Sequence, residues 1–280
     1  MKISPIYQNY QTYKPSFGAF HECNMHDSKD VPIRMLCHTS QFFRYPDVDE
    51  HVIDFLGEEF KNEPLNILSL GCSEGEEVYS LAMICALKGI LSDVKGIDID
   101  YPTIEKAKKG VYQLTSNENY YLLDGRERTR EQIDHKRAFR TFFEQIEPPL
   151  YDPRVGATNK FFKKKEGDFK NCSFEQGNVF DCKKKFDKNS FNAVFFRNVM
   201  YHLFECDDYS HNTKVANEAV EQIEHILKPN GVVVFAPFEV NDSGVSLMME
   251  KSNDAFLRRA LFNHGFLNLR EKCDTVWQKP

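Results

Sequence analysis

Acidic side chains surround a short turn bounded by two glycines. The segment Gly71–Gly75 follows an apolar run, and Glu76 and Glu77 come directly after it. Glycines let the backbone approach a ligand closely, and a helix that begins there offers unpaired N–H groups. Carboxylates at this point would repel a phosphate and would suit an ammonium or sulfonium group. The turn therefore favours S-adenosylmethionine over a nucleotide polyphosphate, although a purely structural turn also explains the glycines.

The spacing of these glycines excludes two common phosphate-binding loops. The chain has neither G-x-G-x-x-G nor G-x-x-x-x-G-K-[ST] at this place. The first spacing is typical of dinucleotide sites and the second of loops that hold nucleotide phosphates. Both absences agree with a ligand that carries positive charge near the turn.

Two further polar residues are predicted to follow neighbouring strands. Asp98 stands 27 residues after Gly71 and ends an apolar segment, where an acid can accept hydrogen bonds from both ribose hydroxyls. The alternative role, capping the next helix, fits Asp100 better. Asn178 stands near the end of a third predicted strand, so its amide could hold the edge of an adenine ring on which Val179 packs. A simple turn would also explain that segment.

Alternating strands and helices must position these residues. Such alternation is typical of an α/β fold in which helices cover both faces of a parallel sheet. The predicted strands are Leu65–Leu70, Val94–Asp100, Cys172–Val179, Asn192–Arg197 and Val232–Phe238, with Phe266–Leu269 and Thr275–Gln278 as a closing pair. The predicted helices are Glu76–Leu87, Thr103–Lys109, Thr129–Ile146, Val215–Leu227, ended by the segment Pro229-Asn230-Gly231, and Leu247–His264.

Length and composition allow one large domain and exclude several classes of protein. We expect an irregular arm at residues 1–37 and one domain over 38–280, with a charged insertion or lid at about 116–171. The net charge of -6 argues against a general nucleic-acid binder. No apolar run approaches 18 residues and no apolar segment begins the chain, so neither membrane insertion nor secretion is expected. None of the eight cysteines forms a CxxC pair, which favours reduced thiols in the cytoplasm over a metal site.

Four segments, in the same order, resemble the chemotaxis receptor glutamate methyltransferases of the CheR type. His38–Arg44 resembles the family's N-x-T-x-F-F-R, and Cys72–Ser80 resembles its S-T-G-E-E-x-Y-S. Asp98–Asp100 with Ala107–Tyr112 is similar to its D-I-D…A-x-x-G-x-Y, and Phe196–Met200 is similar to its C-R-N-V-L/M. The likeness covers about residues 38–115 and 172–280.

The resemblance implies a fold, a cofactor and a reaction. The fold would be that of a Rossmann-like class I methyltransferase with a mostly parallel seven-stranded sheet, and the cofactor would be S-adenosylmethionine. The reaction would be methyl transfer to a glutamate carboxylate of a protein, such as a receptor or another signalling protein. Glu77 would bind the methionine amino group, Asp98 the ribose, and Arg44 would lie near the reacting methyl group. The cofactor-binding residues carried over are His38, Ser40, Arg44, Glu77, Asp98, Asn178, Val179, Arg197 and Asn198.

Three departures from the family pattern leave the methyl acceptor open. A basic helical domain is not expected in the 37 residues before His38. His38 and Ser40 replace the family's Asn and Thr. Where the family has a tyrosine near the methyl group this chain has His202, with Tyr201 displaced by one position, so Arg44, Tyr201 and His202 are the catalytic candidates. Two other functions stay open: methylation of a small molecule or another protein side chain, and a non-catalytic signalling domain that binds the cofactor.

Overall fold

The structure is a computed structural model of the chain. It describes residues 40–61, 63–125, 129–147, 160–197, 199, 202–204, 208–235, 255–269 and 275–280. The predicted arm at 1–37 therefore lies outside the described residues, and the predicted domain boundaries stay predictions.

Ten strands and eight helices make up the described part of the chain. The strands are β1 Leu65–Leu70, β2 Ser92–Asp98, β3 Val111–Gln113, β4 Phe143–Ile146, β5 Phe161–Lys164, β6 Cys172–Gln176, β7 Phe191–Phe195, β8 Leu227–Val234, β9 Leu267–Asn268 and β10 Val276–Gln278. The helices are α1 Pro46–Glu59, α2 Glu76–Leu87, α3 Tyr101–Lys109, α4 Ser116–Asn119, α5 Arg130–Phe142, α6 Cys182–Lys185, α7 Tyr209–Ile226 and α8 at 255–263. A π-helical turn, Tyr120–Asp124, follows α4.

Seven strands form the main sheet in the order β6-β2-β1-β7-β8-β10-β9. The strands from β6 to β8 are parallel to one another, whereas β10 is antiparallel to both β8 and β9. This confirms the predicted mostly parallel seven-stranded sheet. The closing pair of strands is confirmed as well.

Hydrophobic cores lie on both faces of the main sheet. Side chains that follow one another along a strand point to opposite faces. Ile67 accordingly belongs to the cluster that includes α1, α2 and α5, whereas Leu68 belongs to the cluster that includes α7 and α8. Helices therefore cover both faces, as the sequence pattern predicts.

Two predicted boundaries are wrong in an informative way. The helix predicted to reach Ile146 ends at Phe142, because the next four residues pair with β5 in a small antiparallel sheet of order β3-β5-β4. The helix predicted to end at Leu227 ends at Ile226, and the segment Pro229-Asn230-Gly231, predicted to stop it, lies within β8, which begins at Leu227. Asn230 has a φ of 62° there, and the pairing of β7 with β8 shifts register at this bulge.

The small sheet packs on the main domain through aromatic side chains. Phe42 lies edge-on to Tyr112 of β3, to Phe139 of α5 and to Phe143 of β4, with ring centroids 5.0–5.1 Å apart. Aromatic pairs prefer such geometry and contribute about 0.5–1.5 kcal/mol beyond their burial. The segment before α1 is thus fixed between the two sheets.

None of the helices that the structure describes is long and apolar enough to cross a membrane.

Candidate cofactor and acceptor site

The carboxyl ends of neighbouring strands bring the predicted site residues to one edge of the main sheet. The loops after β6, β2, β1 and β7 are adjacent because these strands are adjacent. Backbone hydrogen bonds join the loops: the Gly177 N–H donates to the Asp98 carbonyl at 2.9 Å, and the Gly71 N–H donates to the Ile97 carbonyl at 2.8 Å. Ligands of open α/β sheets bind at this edge.

The glycine turn after β1 requires glycine at both ends. Gly71 and Gly75 have φ values of 83° and 97°, a region that side chains strongly disfavour. An added Cβ at Gly75 would lie 2.9 Å from the Cβ of Ala107, and one at Gly71 would collide with Val199. The turn is therefore packed tightly between α3 and the loop that follows β7.

Asp98 is buried at the end of β2 and is held by two backbone groups. It is 7% exposed, and its Oδ2 and Oδ1 accept the N–H groups of Ser73 and Asp100 at 2.8 and 3.0 Å. A carboxylate oxygen has two acceptor positions, so each oxygen can still accept a ribose hydroxyl. Asp100 occupies the N-cap position of α3, and its Oδ2 accepts the Thr103 hydroxyl at 2.5 Å.

Glu77 belongs to a charged trio with Arg197 and Asp49. Ser69 donates its hydroxyl to Glu77 Oε1 at 2.7 Å, and Arg197 Nη1 donates to Glu77 Oε2 at 3.3 Å. Arg197 Nη2 donates to Asp49 Oδ1 in a short contact. The side chains of Arg197 and Asp49 are 3% and 2% exposed, whereas that of Glu77 is 19% exposed. Glu77 is therefore the member of the trio that a ligand can reach.

Burial and mutual attraction shift the ionisation of this trio. Burial raises the pKa of Asp49 to about 6, although the Arg197 guanidinium acts in the opposite direction. Burial also works against the charge of Arg197, but the carboxylates of Asp49 and Glu77 outweigh it and raise the pKa of Arg197 above its ordinary value. Arg197 therefore stays charged, while Asp49 titrates near neutrality.

Asp49 is a site residue that the sequence analysis missed. It shares one face of α1 with Val52, Ile53 and Leu56, all of them buried. These positions follow the helical spacing of an apolar stripe. An acid within such a stripe is the signal that would have pointed to a buried partner.

The segment before α1 lies along the start of α2. The Phe43 N–H donates to the Ser80 hydroxyl at 2.9 Å, and the Phe42 N–H donates to Glu118 Oε1 at 2.9 Å. Ser40 forms a hydrogen bond with Glu76, whose burial raises its pKa to about 8. The segment of Phe42, Phe43 and Arg44, which matches the F-F-R pattern, is thus held by side chains of α2 and α4.

Arg44 reaches the neighbourhood of the trio through Tyr45. The guanidinium carbons of Arg44 and Arg197 lie 5.4 and 5.1 Å from the centroid of the Tyr45 ring. Such distances are typical of cation–π contacts. Both guanidinium groups therefore contact the same ring, and Arg197 of this pair also donates to Glu77.

The residues after β6 and β7 have more varied roles. Asn178 Oδ1 accepts the Phe180 N–H at 3.1 Å and so caps a short 3₁₀ turn, Val179–Asp181. Val179 is buried in the α7 cluster. The His202 N–H donates to the Val199 carbonyl at 3.0 Å, and the His202 side chain is half-buried. Predicted site residues His38, Asn198 and Tyr201 lie outside the described residues.

The described residues fit S-adenosylmethionine. Asp98 retains acceptor positions for the ribose hydroxyls, and the exposed part of Glu77 offers negative charge to an ammonium group. The trio of Asp49, Arg197 and Glu77 carries a net charge of about −1 when both acids are ionised, which suits a cation. The glycine turn carries acid in place of the basic residues that phosphate prefers.

Comparisons with known proteins agree with this geometry. The family model described as CheR methyltransferase, SAM binding domain, matches residues 38–240. A chemotaxis protein methyltransferase of Campylobacter jejuni is 32% identical over 170 residues, which are 60% of this chain and 51% of that protein. "Probable biofilm formation methyltransferase WspC" of Pseudomonas aeruginosa is 24% identical over 207 residues, which are 71% of this chain and 41% of that protein.

The chain spans about half the length of the curated relatives that it matches. A solved structure of a SAM-dependent methyltransferase from Aquifex aeolicus is 13% identical, with 80% of this chain and 84% of that chain covered and a TM-score of 0.38. A likeness this distant adds no information to the strand order described above. Because the family model covers well over half of the chain, the protein belongs to the CheR methyltransferase family, and its cofactor is S-adenosylmethionine.

Proposed function

We propose that this protein transfers a methyl group from S-adenosylmethionine to the carboxylate of a protein glutamate. The observation that supports this most directly is the position of Arg44. Its guanidinium contacts the Tyr45 ring, and the same ring contacts Arg197, which donates to Glu77. A cation at this end of the site can bind and orient an acceptor carboxylate.

The cofactor end of the site is formed by the end of β2, the start of α2 and the loop after β6. Asp98 accepts hydrogen bonds from the ribose hydroxyls, and Glu77 accepts them from the methionine amino group. The Asn178 amide NH₂ donates to the adenine, since the Asn178 oxygen is already used by the Phe180 N–H. When bound, the cofactor supplies an electrophilic methyl group on its sulfonium.

The acceptor needs orientation more than it needs a base. A glutamate carboxylate has a reference pKa of about 4.3 and is already ionised at neutral pH. Aligned reactants can account for about 7–11 kcal/mol of the barrier. Arg44 can hold a carboxylate through two parallel hydrogen bonds. Its backbone is prearranged because the preceding residues, Phe42 and Phe43, are fixed by Glu118 and Ser80.

The proposed substrate is a receptor or another signalling protein. The name of the Campylobacter jejuni relative places that protein in chemotaxis. Its identity of 32% and the ordered F-F-R and G-E-E-x-Y-S segments support a related acceptor for this chain.

A second candidate is methyl transfer to an amine or hydroxyl, in a small molecule or in another protein side chain. His202 favours it, because this half-buried residue follows Val199, which packs on Gly71 of the glycine turn. An imidazole titrates near neutrality and can accept a proton from such an acceptor.

The test is incubation of the protein with radiolabelled cofactor and a cell lysate, followed by mild base. A carboxyl methyl ester releases volatile methanol, so we expect base-labile label on protein. Arg44→Ala should lower the label about ten-fold or more, as expected for an oriented charged contact, and should weaken binding of S-adenosylhomocysteine by much less.

Arg137→Ala is the matched control, because Arg137 is an exposed arginine of α5. It should leave the labelling unchanged. Base-stable label would contradict the carboxylate and support the second candidate. Retained cofactor binding without any labelling would contradict both and support a non-catalytic signalling domain.

A further inference from the structure

One member of the trio is too deeply buried for a ligand to reach it. Asp49 is 2% exposed, comes from α1, and contacts the second terminal nitrogen of the Arg197 guanidinium. Glu77, from α2, contacts the first. One arginine thus bridges two carboxylates from two helices, and only one of those carboxylates is accessible.

We propose that Asp49 is a positioning residue that holds Arg197 and thereby sets the orientation and charge of Glu77 toward the amino group of the cofactor. This inference rests on the cofactor role proposed for Glu77. It adds a residue that does not touch the cofactor and acts only through Arg197.

The charge balance explains why a second acid is needed. Arg197 paired with Glu77 alone would neutralise it, and a neutral pair attracts an ammonium group weakly. With Asp49 ionised the trio keeps a net charge of about −1, and its accessible part is Glu77. Little solvent reaches Arg197 and Asp49, so this charge is poorly screened.

The geometry explains how Asp49 affects the orientation of the Glu77 carboxylate. An arginine side chain can hold a carboxylate with two parallel bonds. Because Asp49 engages Nη2, Arg197 offers Nη1 to a single oxygen of Glu77, at 3.3 Å. The other oxygen accepts the Ser69 hydroxyl at 2.7 Å. Without Asp49 the guanidinium is free to turn onto Glu77 and pull its carboxylate away from the cofactor.

The first turn of α1 also links Asp49 to Arg44, the residue proposed to bind the acceptor carboxylate. The Asp49 N–H donates to the Tyr45 carbonyl at 3.0 Å, and the Tyr45 ring lies next to both Arg197 and Arg44. Asp49 is therefore fixed by the same turn that places Arg44.

The ionisation of Asp49 supplies a second readout. The charged groups that act on it are Arg197, Glu77 and His135, and burial raises its pKa to about 6. As the pH falls through this value Asp49 becomes neutral, the trio loses its net negative charge, and the attraction for the ammonium group weakens.

The experiment compares two ligands by calorimetry on the full chain. S-adenosylhomocysteine carries the amino-acid part, whereas 5′-methylthioadenosine lacks it. Asp49→Asn should weaken S-adenosylhomocysteine about ten-fold or more, in line with the loss of one partner from a buried charge network. It should change 5′-methylthioadenosine by less than about two-fold. Asp47→Asn, an exposed acid of the same helix, is the control and should change neither.

The pH dependence keeps the proposal testable if Asp49→Asn does not fold. In the wild type, the ratio of the two affinities should fall below about pH 6, as the pKa of Asp49 requires. A folded Asp49→Asn protein should show a flat ratio there. A flat ratio in the wild type, or equal weakening of both ligands in the variant, would overturn the role of Asp49. Failure of the wild type to bind either ligand would overturn the cofactor roles themselves, whereas a wrong methyl acceptor would leave every one of these measurements unchanged.

Discussion

Polar side chains are buried both at the carboxyl ends and at the amino ends of the parallel strands, here called the carboxyl edge and the amino edge of the main sheet. The two groups of side chains differ in charge. At the carboxyl edge the buried groups are ionisable, with Asp49, Glu76, Asp98 and Arg197 each less than a tenth exposed. At the amino edge they are amides. Asn192 Oδ1 accepts the Asn66 N–H at 2.8 Å, and Asn66 Nδ2 donates to the Ser190 carbonyl at 3.2 Å.

This difference distinguishes a ligand-binding site from a contact that only stabilises the fold. A neutral amide costs less to bury than a charge and does not respond to pH. A buried ion pair must overcome the loss of water around both charges and is often no more stable than apolar packing. Charges are therefore an expensive way to hold a sheet edge together, and the carboxyl edge has them where a cationic ligand is expected.

The largest expected effect comes from breaking the trio. Arg197→Met leaves Asp49 buried without its partner, which should lower the free energy of unfolding by about 3–5 kcal/mol. The loss should be larger at pH 8 than at pH 5, because an unpaired Asp49 can be protonated in acid. Urea unfolding at the two pH values measures both effects.

Arg137→Met provides the comparison for that measurement. Arg137 lies on the exposed side of α5, so the change should stay within about 0.5 kcal/mol. A similar small loss for Arg197→Met would show that the trio is not a tight network.

Removal of the carboxylate at the end of β2 should abolish most of the cofactor affinity. Asp98→Ala removes two charge-assisted acceptors, so the affinity for S-adenosylhomocysteine should fall roughly 100-fold or more, about 3 kcal/mol. Asp93→Ala, at the amino end of the same strand, should leave it unchanged. Calorimetry on variants that are shown to be folded measures the affinity. Equal losses in both variants would contradict a ligand site at the carboxyl edge.

Glu76 should make the stability of the protein fall as the pH rises. Its pKa is raised to about 8 by burial, so the folded protein binds a proton that the unfolded chain releases near pH 4.5. Wild-type stability then falls by about 1.4 kcal/mol for each pH unit between these values, and Glu76→Gln should be more stable than the wild type at pH 8 by a few kcal/mol.

Urea unfolding from pH 5 to pH 8 measures this difference. Glu221→Gln, an exposed acid paired with Lys183, should have a small effect, since exposed pairs contribute less than about 1 kcal/mol. Parallel pH curves for the wild type and Glu76→Gln would contradict a buried ionisable Glu76.

The smallest effect is expected at the amino edge. Asn192→Ala removes the acceptor of the Asn66 N–H and should cost about 1–2 kcal/mol of stability. The cost stays low because Asn192 Nδ2 has no hydrogen-bond partner among the described residues, so that its burial penalty disappears with the side chain. Affinity for S-adenosylhomocysteine should not change, and a clear loss by calorimetry would mean that the two edges are coupled.

Local sequence pattern predicted the central elements well. Strand β1 and helix α2 have the predicted bounds, because a short apolar run and a buried helical run of apolar residues each permit one structure. The position of Asp98 at the end of β2, and the N-cap position of Asp100 before α3, also followed from local order.

Other features depended on partners distant in the chain. The end of α5 was predicted too late because Phe143–Ile146 is a strand only through its pairing with β5. The end of α7 was predicted to within one residue, but the next strand was predicted to begin at Val232 and begins at Leu227, which pairs with Phe191 of β7. In neither case do the local residues show which distant strand they pair with.

The sequence by itself determined the α/β class, the acidic glycine turn and the family, because these depend on residue types and short spacings. Only the tertiary structure showed that Asp49 of α1 meets Arg197 after β7 and, through it, Glu77 of α2. The physical reason is that a buried charge is stabilised by whatever opposite charge the fold brings to it, and that partner can stand 148 positions away.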